Sequence, residues 1–312
     1  MNAILFPGQG SQIVGMGSEF YSNFDIVKKI FDEADERLKY KISEIILEGP
    51  EDKLKLTQNT QPAILIVSYA IFSILKKEFN FNFNKTKYFA GHSLGEYSAL
   101  LCSGSLDFND ALKLLYERGK FMQEAVPTGK GSMIAVLGSK IDEIKNFMEE
   151  PKKKGVCEIA NDNAEGQTIV SGDIESINML KNILKTNKKK VIPLNVSAPF
   201  HCSLMSQAAD KMKEKINSVN FKKPTFDIVS NVTSKPENNP ENIKKLLIEQ
   251  ICSTVRWRES IINMSNEKIN KFIEIGPGKV LSGMVKRTIK DINCFSINSI
   301  DDMKNTTHEF KK

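Results

Sequence analysis

Apolar and polar positions follow two periods along this chain, and the changes of period predict its elements. Residues 2–6 form a short apolar run that ends in Pro7-Gly8-Gln9-Gly10-Ser11, a strand followed by a turn. Phe20, Phe24, Val27, Phe31, Ala34 and Leu38 recur every three or four residues, the spacing of a helix face. Pro62 at a first helical position opens an apolar helix to about residue 76. Residues 87–90 read as a strand that runs into Gly91-His92-Ser93-Leu94-Gly95, with helices over 96–102 and 110–124. Strand, turn and helix alternate, which predicts an α/β core with parallel strands.

The stretch from about 130 to 195 has its own pattern. A strand at 132–137 precedes a helix at 141–149. Two strands, 156–160 and 167–170, flank an Asn161-Asp162-Asn163 turn. A helix at 174–186 leads to a strand at 191–196. The order β-α-β-β-α-β is ferredoxin-like. It predicts a small subdomain at 129–196, inserted between core segments 1–128 and 197–312. After Pro199 the core alternation resumes: helix 204–219, strand 226–229, helices 243–252 and 259–264, strand 271–275, a Gly276-Pro277-Gly278 turn, a helix from Lys279 and strand 294–298. The polar tail from Asp301 reads as frayed.

Composition narrows the class. Over 312 residues, 40% are hydrophobic and 26% charged, which fits a globular chain and argues against disorder. The five cysteines lie far apart without a Cys-x-x-Cys pair, which fits neither a disulfide scaffold nor a zinc site and predicts reduced thiols in the cytoplasm. Pro7-Gly8 interrupts the first apolar run, so no signal peptide is read. Residues 62–75 are too short and too punctuated to span a bilayer. The net charge of +6 is spread along the chain rather than forming a basic stripe, which argues against nucleic acid and leaves an acidic partner or a phosphate-bearing substrate. Only five of the 44 basic residues are arginine, and Arg118 alone lies mid-chain.

Gly91-His92-Ser93-Leu94-Gly95 fits the Gly-x-Ser-x-Gly nucleophile elbow, placed between strand and helix. Ser93 is then the candidate nucleophile, and the Leu94 N–H faces an oxyanion. The plain alternative is a glycine-flanked turn with a capping serine. A serine needs a base, and the chain holds three histidines. His92 adjoins the nucleophile and points away from it. His308 lies in the tail. His201, after the Pro199 turn, is the candidate base. No acidic third member is evident, so a Ser–His dyad stands beside a triad. The Gln9 N–H is a candidate second oxyanion donor, with a simple turn as the equal alternative. Arg118 suits bidentate carboxylate or phosphate binding, or a surface salt bridge.

Seven ordered motifs resemble the malonyl-CoA:acyl carrier protein transacylases of type II fatty acid synthesis, over nearly the whole chain. They are Phe6-Pro7-Gly8-Gln9-Gly10-Ser11-Gln12, Thr60-Gln61-Pro62-Ala63, Gly91-His92-Ser93-Leu94-Gly95-Glu96, Glu117-Arg118-Gly119, Asn161-Asp162-Asn163, Pro199-Phe200-His201 and Gly276-Pro277-Gly278-Lys279-Val280-Leu281. The resemblance implies an α/β-hydrolase-like core with the inserted ferredoxin-like subdomain. It implies transfer of malonyl from malonyl-CoA to the phosphopantetheine thiol of acyl carrier protein through a malonyl-serine. Ser93 and His201 would be catalytic. Gln9 and Leu94 would form the oxyanion hole, and Arg118 would hold the malonyl carboxylate with help from His92. Gln61 and Asn163 would line the substrate channel, and the Gln250 carbonyl would orient the histidine. No metal or cofactor is implied, and the expected state is a cytoplasmic monomer.

Two positions depart from the family pattern. Phe200 stands where many stand-alone members carry serine, and Arg256 where a neutral residue is common, either near the entrance or in a surface role. A serine thioesterase on the same elbow, and a non-catalytic docking protein, are the competing functions.

Overall fold

The structure, a computed structural model, describes residues 1–196 and 198–311; residues 197 and 312, where expected segment ends fall, lie outside the described residues. In chain order the strands are β1 (Asn2–Phe6), β2 (Thr86–Gly91), β3 (Gly131–Leu137), β4 (Cys157–Ala164), β5 (Gln167–Asp173), β6 (Lys190–Pro193), β7 (Asp227–Val229), β8 (Pro236–Glu237), β9 (Lys271–Ile275) and β10 (Asn293–Ile297). They form a six-stranded sheet of order β10-β9-β1-β2-β7-β8 and a four-stranded sheet of order β4-β5-β3-β6.

Every pairing of the larger sheet is parallel except β7 with β8. Its middle strand, β1, is buried at all five residues, as expected of a strand covered on both faces. Parallel pairing brings the carboxyl ends of β1 and β2 side by side, with Phe6 opposite Gly91. The loops carrying Gln9 and Ser93 therefore leave the sheet together, in the crevice where open α/β sheets place ligands. The apolar helix covering this sheet runs Thr57–Lys77. It begins five residues before Pro62, not at it. Leu56 O accepts the Asn59 and Thr60 N–H groups at 2.8 Å, so the helix starts upstream, and Pro62 in the second turn forgoes one hydrogen bond. Gln61 thereby becomes a helical residue, turned inward and buried.

The smaller sheet is antiparallel throughout and has its own core, including Ile134, Val136, Ile144, Val170 and Leu180. The expected turn at Asn161-Asp162-Asn163 is instead part of β4. The reversal falls at Glu165-Gly166, where Gly166 takes φ +68°. Polar residues that look like a turn are accommodated in a strand because bulges re-aim them and because outside groups satisfy them. Asp162 N–H donates to Val255 O at 3.0 Å, and Val255 N–H donates to Ala160 O at 2.9 Å. Arg258 Nε reaches both Asp162 oxygens at 3.0 Å.

Three further expectations change. The first helical face is split at Phe24 into Ser18–Asn23 and Asp25–Leu38. The helix expected over 141–149 ends at Phe147, with a short turn of helix at Glu149–Lys152. The tail is not frayed but helical over Ile300–Lys311. Met303 is fully buried there, and the Phe310 ring packs 5.3 Å from Phe81 and 5.4 Å from Phe295. Few apolar residues suffice to dock it, which hides the helix in a polar sequence.

Candidate active site

The nucleophile elbow has the geometry its glycines anticipate. Ser93 stands at φ +53°, between the end of β2 and helix Gly95–Cys102. A Cβ on Gly91 would lie 1.9 Å from the Gly95 carbonyl group, so a side chain there is excluded. Asn231, on the loop after β7, fastens the turn from both sides. Its Oδ1 accepts the Ser93 N–H at 2.7 Å, and its Nδ2 donates to Gly91 O at 2.7 Å.

Ser93 Oγ lies 2.7 Å from His201 Nε2. The other imidazole nitrogen, Nδ1, faces Gln250 O at 2.9 Å. A carbonyl only accepts, so Nδ1 carries the proton and Nε2 is left to accept from the Ser93 hydroxyl. Burial first, and then the charge of Arg118, hold the imidazole down to about 3, so it stays neutral.

Arg118, from helix Phe108–Glu124, is 1% exposed. Its Nη1 donates to Gln61 Oε1 at 2.9 Å, and its Nη2 donates to Gln250 Oε1 at 2.8 Å and to Ser93 Oγ at 3.1 Å. Its Nε has no acceptor among the described residues. A buried guanidinium without a carboxylate in direct contact, and with a donor to spare, is suited to receive an anionic group. Desolvation lowers its pKa.

A cleft of about 180 Å³ opens over these groups. Gln9, Gln61, His92, Arg118, Asn163 and His201 line it with Ser93. Leu94 and Gln250 stand behind the lining, both buried. His92 Nε2 lies 2.8 Å from Asn163 Oδ1, and burial lowers the pKa of its ring. The Gln9 and Leu94 N–H groups have no acceptor among the described residues. All nine candidate residues therefore fall in one neighbourhood. Arg256 does not line the cleft. It donates to Val232 O at 3.1 Å and pairs with Glu259, tying down the loop that carries Asn231.

Two members escaped the sequence reading. Asn231 follows a strand in Ser230-Asn231-Val232-Thr233 and looks like any turn residue. The role of the Gln250 side chain was hidden behind that of its carbonyl. Glu96 did carry a signal, a carboxylate directly after the elbow, and the structure places it in a helix buried at every residue. Its Oε2 accepts Gln250 Nε2 at 2.7 Å and Asn231 N–H at 3.1 Å. Burial pushes Glu96 up to about 7, against the pull of those two bonds and of Arg118. Among the described residues no group of three His, Cys, Asp or Glu side chains is placed to hold a metal ion.

A serine–histidine pair on an elbow, beside a buried arginine in an α/β body, is suited to acyl chemistry, and residues 4–311 match the family model described as acyl transferase domain. A malonyl CoA-acyl carrier protein transacylase of Bacillus subtilis is 42% identical over 298 residues, covering 95% of this chain and 93% of that protein. The crystal structure of acyl-carrier-protein-S-malonyltransferase from Bartonella henselae superposes with a TM-score of 0.97 at 39% identity, covering 100% and 99% of the two chains. A malonyl-transacylase in complex with its type II PKS acyl-carrier protein superposes with a TM-score of 0.95 at 36% identity, each chain covered to 99%. The chain belongs to the acyl transferase domain family, and within it to the malonyl CoA-acyl carrier protein transacylases.

Proposed function

We propose that the chain moves malonyl from malonyl-CoA to the phosphopantetheine thiol of an acyl carrier protein in two displacements at Ser93, supplying fatty acid elongation. Ser93 Oγ attacks the thioester carbonyl as its proton passes to His201 Nε2. The C–S bond breaks, and the CoA sulfur leaves with the proton that His201 holds. The carrier thiol then gives its proton to His201, its sulfur forms the new thioester, and Ser93 Oγ leaves and regains the proton. The Gln9 and Leu94 amides hold the oxyanion in both steps; their unused N–H groups support that role. Losing one such donor costs about 3–4 kcal/mol of transition-state stabilisation.

Arg118 selects the substrate by taking the free carboxylate, with His92 beside it. Gln61 and Asn163 line the channel, and Gln250 O orients His201. Phe200, in the cleft wall, crowds the α-carbon against an added methyl. The scheme draws on no metal or redox cofactor. We read the large sheet and its helices as an α/β-hydrolase-like core. We read residues 129–196 as an inserted ferredoxin-like subdomain, supported by its strand order and separate core. The same reading makes the enzyme a cytoplasmic monomer, with its five cysteines unpaired. Among the described residues no helix is long and apolar enough to cross a membrane.

The observation that carries the proposal is that Ser93 Oγ is hydrogen-bonded at once to His201 Nε2 and to the buried Arg118 Nη2. Intact-protein mass spectrometry with malonyl-CoA and acetyl-CoA tests it. Malonyl should load on Ser93, vanish in S93A, and be discharged by added holo carrier protein. Arg118→Ala should cut the malonyl-over-acetyl preference at least about tenfold, the value of a charged hydrogen bond lost. Rapid hydrolysis without carrier, or unchanged selectivity in R118A, defeats the respective assignment.

A further inference from the structure

Glu96 lies outside the cleft lining, yet one of its oxygens meets two residues that hold the site. We propose that Glu96 is a positioning residue that, through the carboxamide of Gln250, keeps Arg118 turned to receive the free carboxylate of the acyl group; this rests on the acyl-transfer reading above. A carboxamide has a donor end and an acceptor end, and its neighbours decide which faces where. Gln250 Nε2 faces acceptors, Glu96 Oε2 at 2.7 Å and Ser93 O at 3.1 Å. Gln250 Oε1 faces a donor, Arg118 Nη2 at 2.8 Å. The contact with Glu96 is the shortest of those on Nε2. Without it Nε2 keeps only its longer contacts, to Ser93 O and Asn231 Oδ1, and the hold of Oε1 on Arg118 loosens.

The other arm of Glu96 is less exposed to its loss. Asn231 keeps three bonds of its own: it accepts the Ser93 N–H, donates to Gly91 O, and accepts the Arg256 N–H through its carbonyl. His201 is held by the main-chain carbonyl of Gln250, not by its side chain. Removing Glu96 therefore acts first on the carboxylate receptor, while His201 keeps the Gln250 carbonyl and the Ser93 N–H keeps Asn231 Oδ1. The effect belongs in KM for malonyl-CoA, not in kcat.

Acyl loading of Ser93 by malonyl-CoA and by acetyl-CoA separates these outcomes. Glu96→Ala should raise the malonyl-CoA KM at least about tenfold, while kcat and acetyl loading stay within about threefold. Glu96→Gln, whose amide oxygen can take the place of Oε2, should restore the malonyl KM to within about threefold of wild type. Glu96→Leu, close to glutamate in size but with no acceptor, severs the same relay; it should match E96A, and it decides alone if E96A does not fold. An unchanged malonyl KM in the folded variants overturns the proposal. So does equal loss of malonyl and acetyl loading, or an E96Q that behaves as E96A. A wild-type protein that forms no malonyl adduct would instead defeat the acyl-transfer reading itself.

Discussion

His201 shows how burial sets chemistry at a single residue. Its imidazole is held down to about 3, against an ordinary value of 6.5, by loss of water and by Arg118. The unfolded chain takes up that proton near 6.5, and the folded chain does so only near 3. Between those values the unfolded state binds more protons, so stability falls as pH falls. Urea unfolding across this window should show the wild type losing stability relative to His201→Asn as pH drops; parallel profiles would contradict the assignment. Much at this scale was legible. Three histidines made the partner of Ser93 a short search, and a lone mid-chain arginine drew attention to Arg118. The Gln250 side chain and Asn231 were not legible, because an amide's role depends on what faces it across 19 to 157 residues of chain.

At the level of elements, the junction of β2 with helix Gly95–Cys102 is the least tolerant. Gly91→Ala would set a Cβ 1.9 Å from the Gly95 carbonyl group, and both atoms belong to the backbone. We expect destabilisation of at least about 3 kcal/mol in chemical denaturation, together with loss of the acyl adduct. A folded variant of normal stability would mean that the elbow can relax. This element was readable because glycine spacing reports backbone approach directly. Helix Thr57–Lys77 and β4 were misjudged for a shared reason. Pro62 and the 161–163 run are local signals for an end or a turn, and tertiary partners overrode them. The position of Gln61 and Asn163 in the cleft depends on that override.

Across the whole molecule the +6 charge favours encounter with an acidic partner. The second-order rate of transfer to carrier protein should fall as salt rises from about 0.01 M to about 0.15 M, where the screening length shortens from about 30 to about 8 Å. Transfer to free pantetheine, a neutral acceptor, should change far less. Equal salt dependence in stopped-flow or quench assays would remove charge from the docking account. The hydrophobic pattern foretold a parallel-stranded α/β body and a second, separate group of strands. It was silent on how they join, since that rests on single contacts rather than on any period.

Those contacts set a limit on what the cleft can hold. The bridge of Asn161 to Val255, and the bond from Ser171 Oγ to Phe200 O at 2.7 Å, tie β4 and β5 to the loops of the larger body. Asn163 and Phe200, on the two sides of this seam, both line the cleft. If that seam holds the cleft at a set gap, the cleft acts as a gauge: we expect methylmalonyl-CoA to load Ser93 more slowly than malonyl-CoA, and equal loading by mass spectrometry would contradict it.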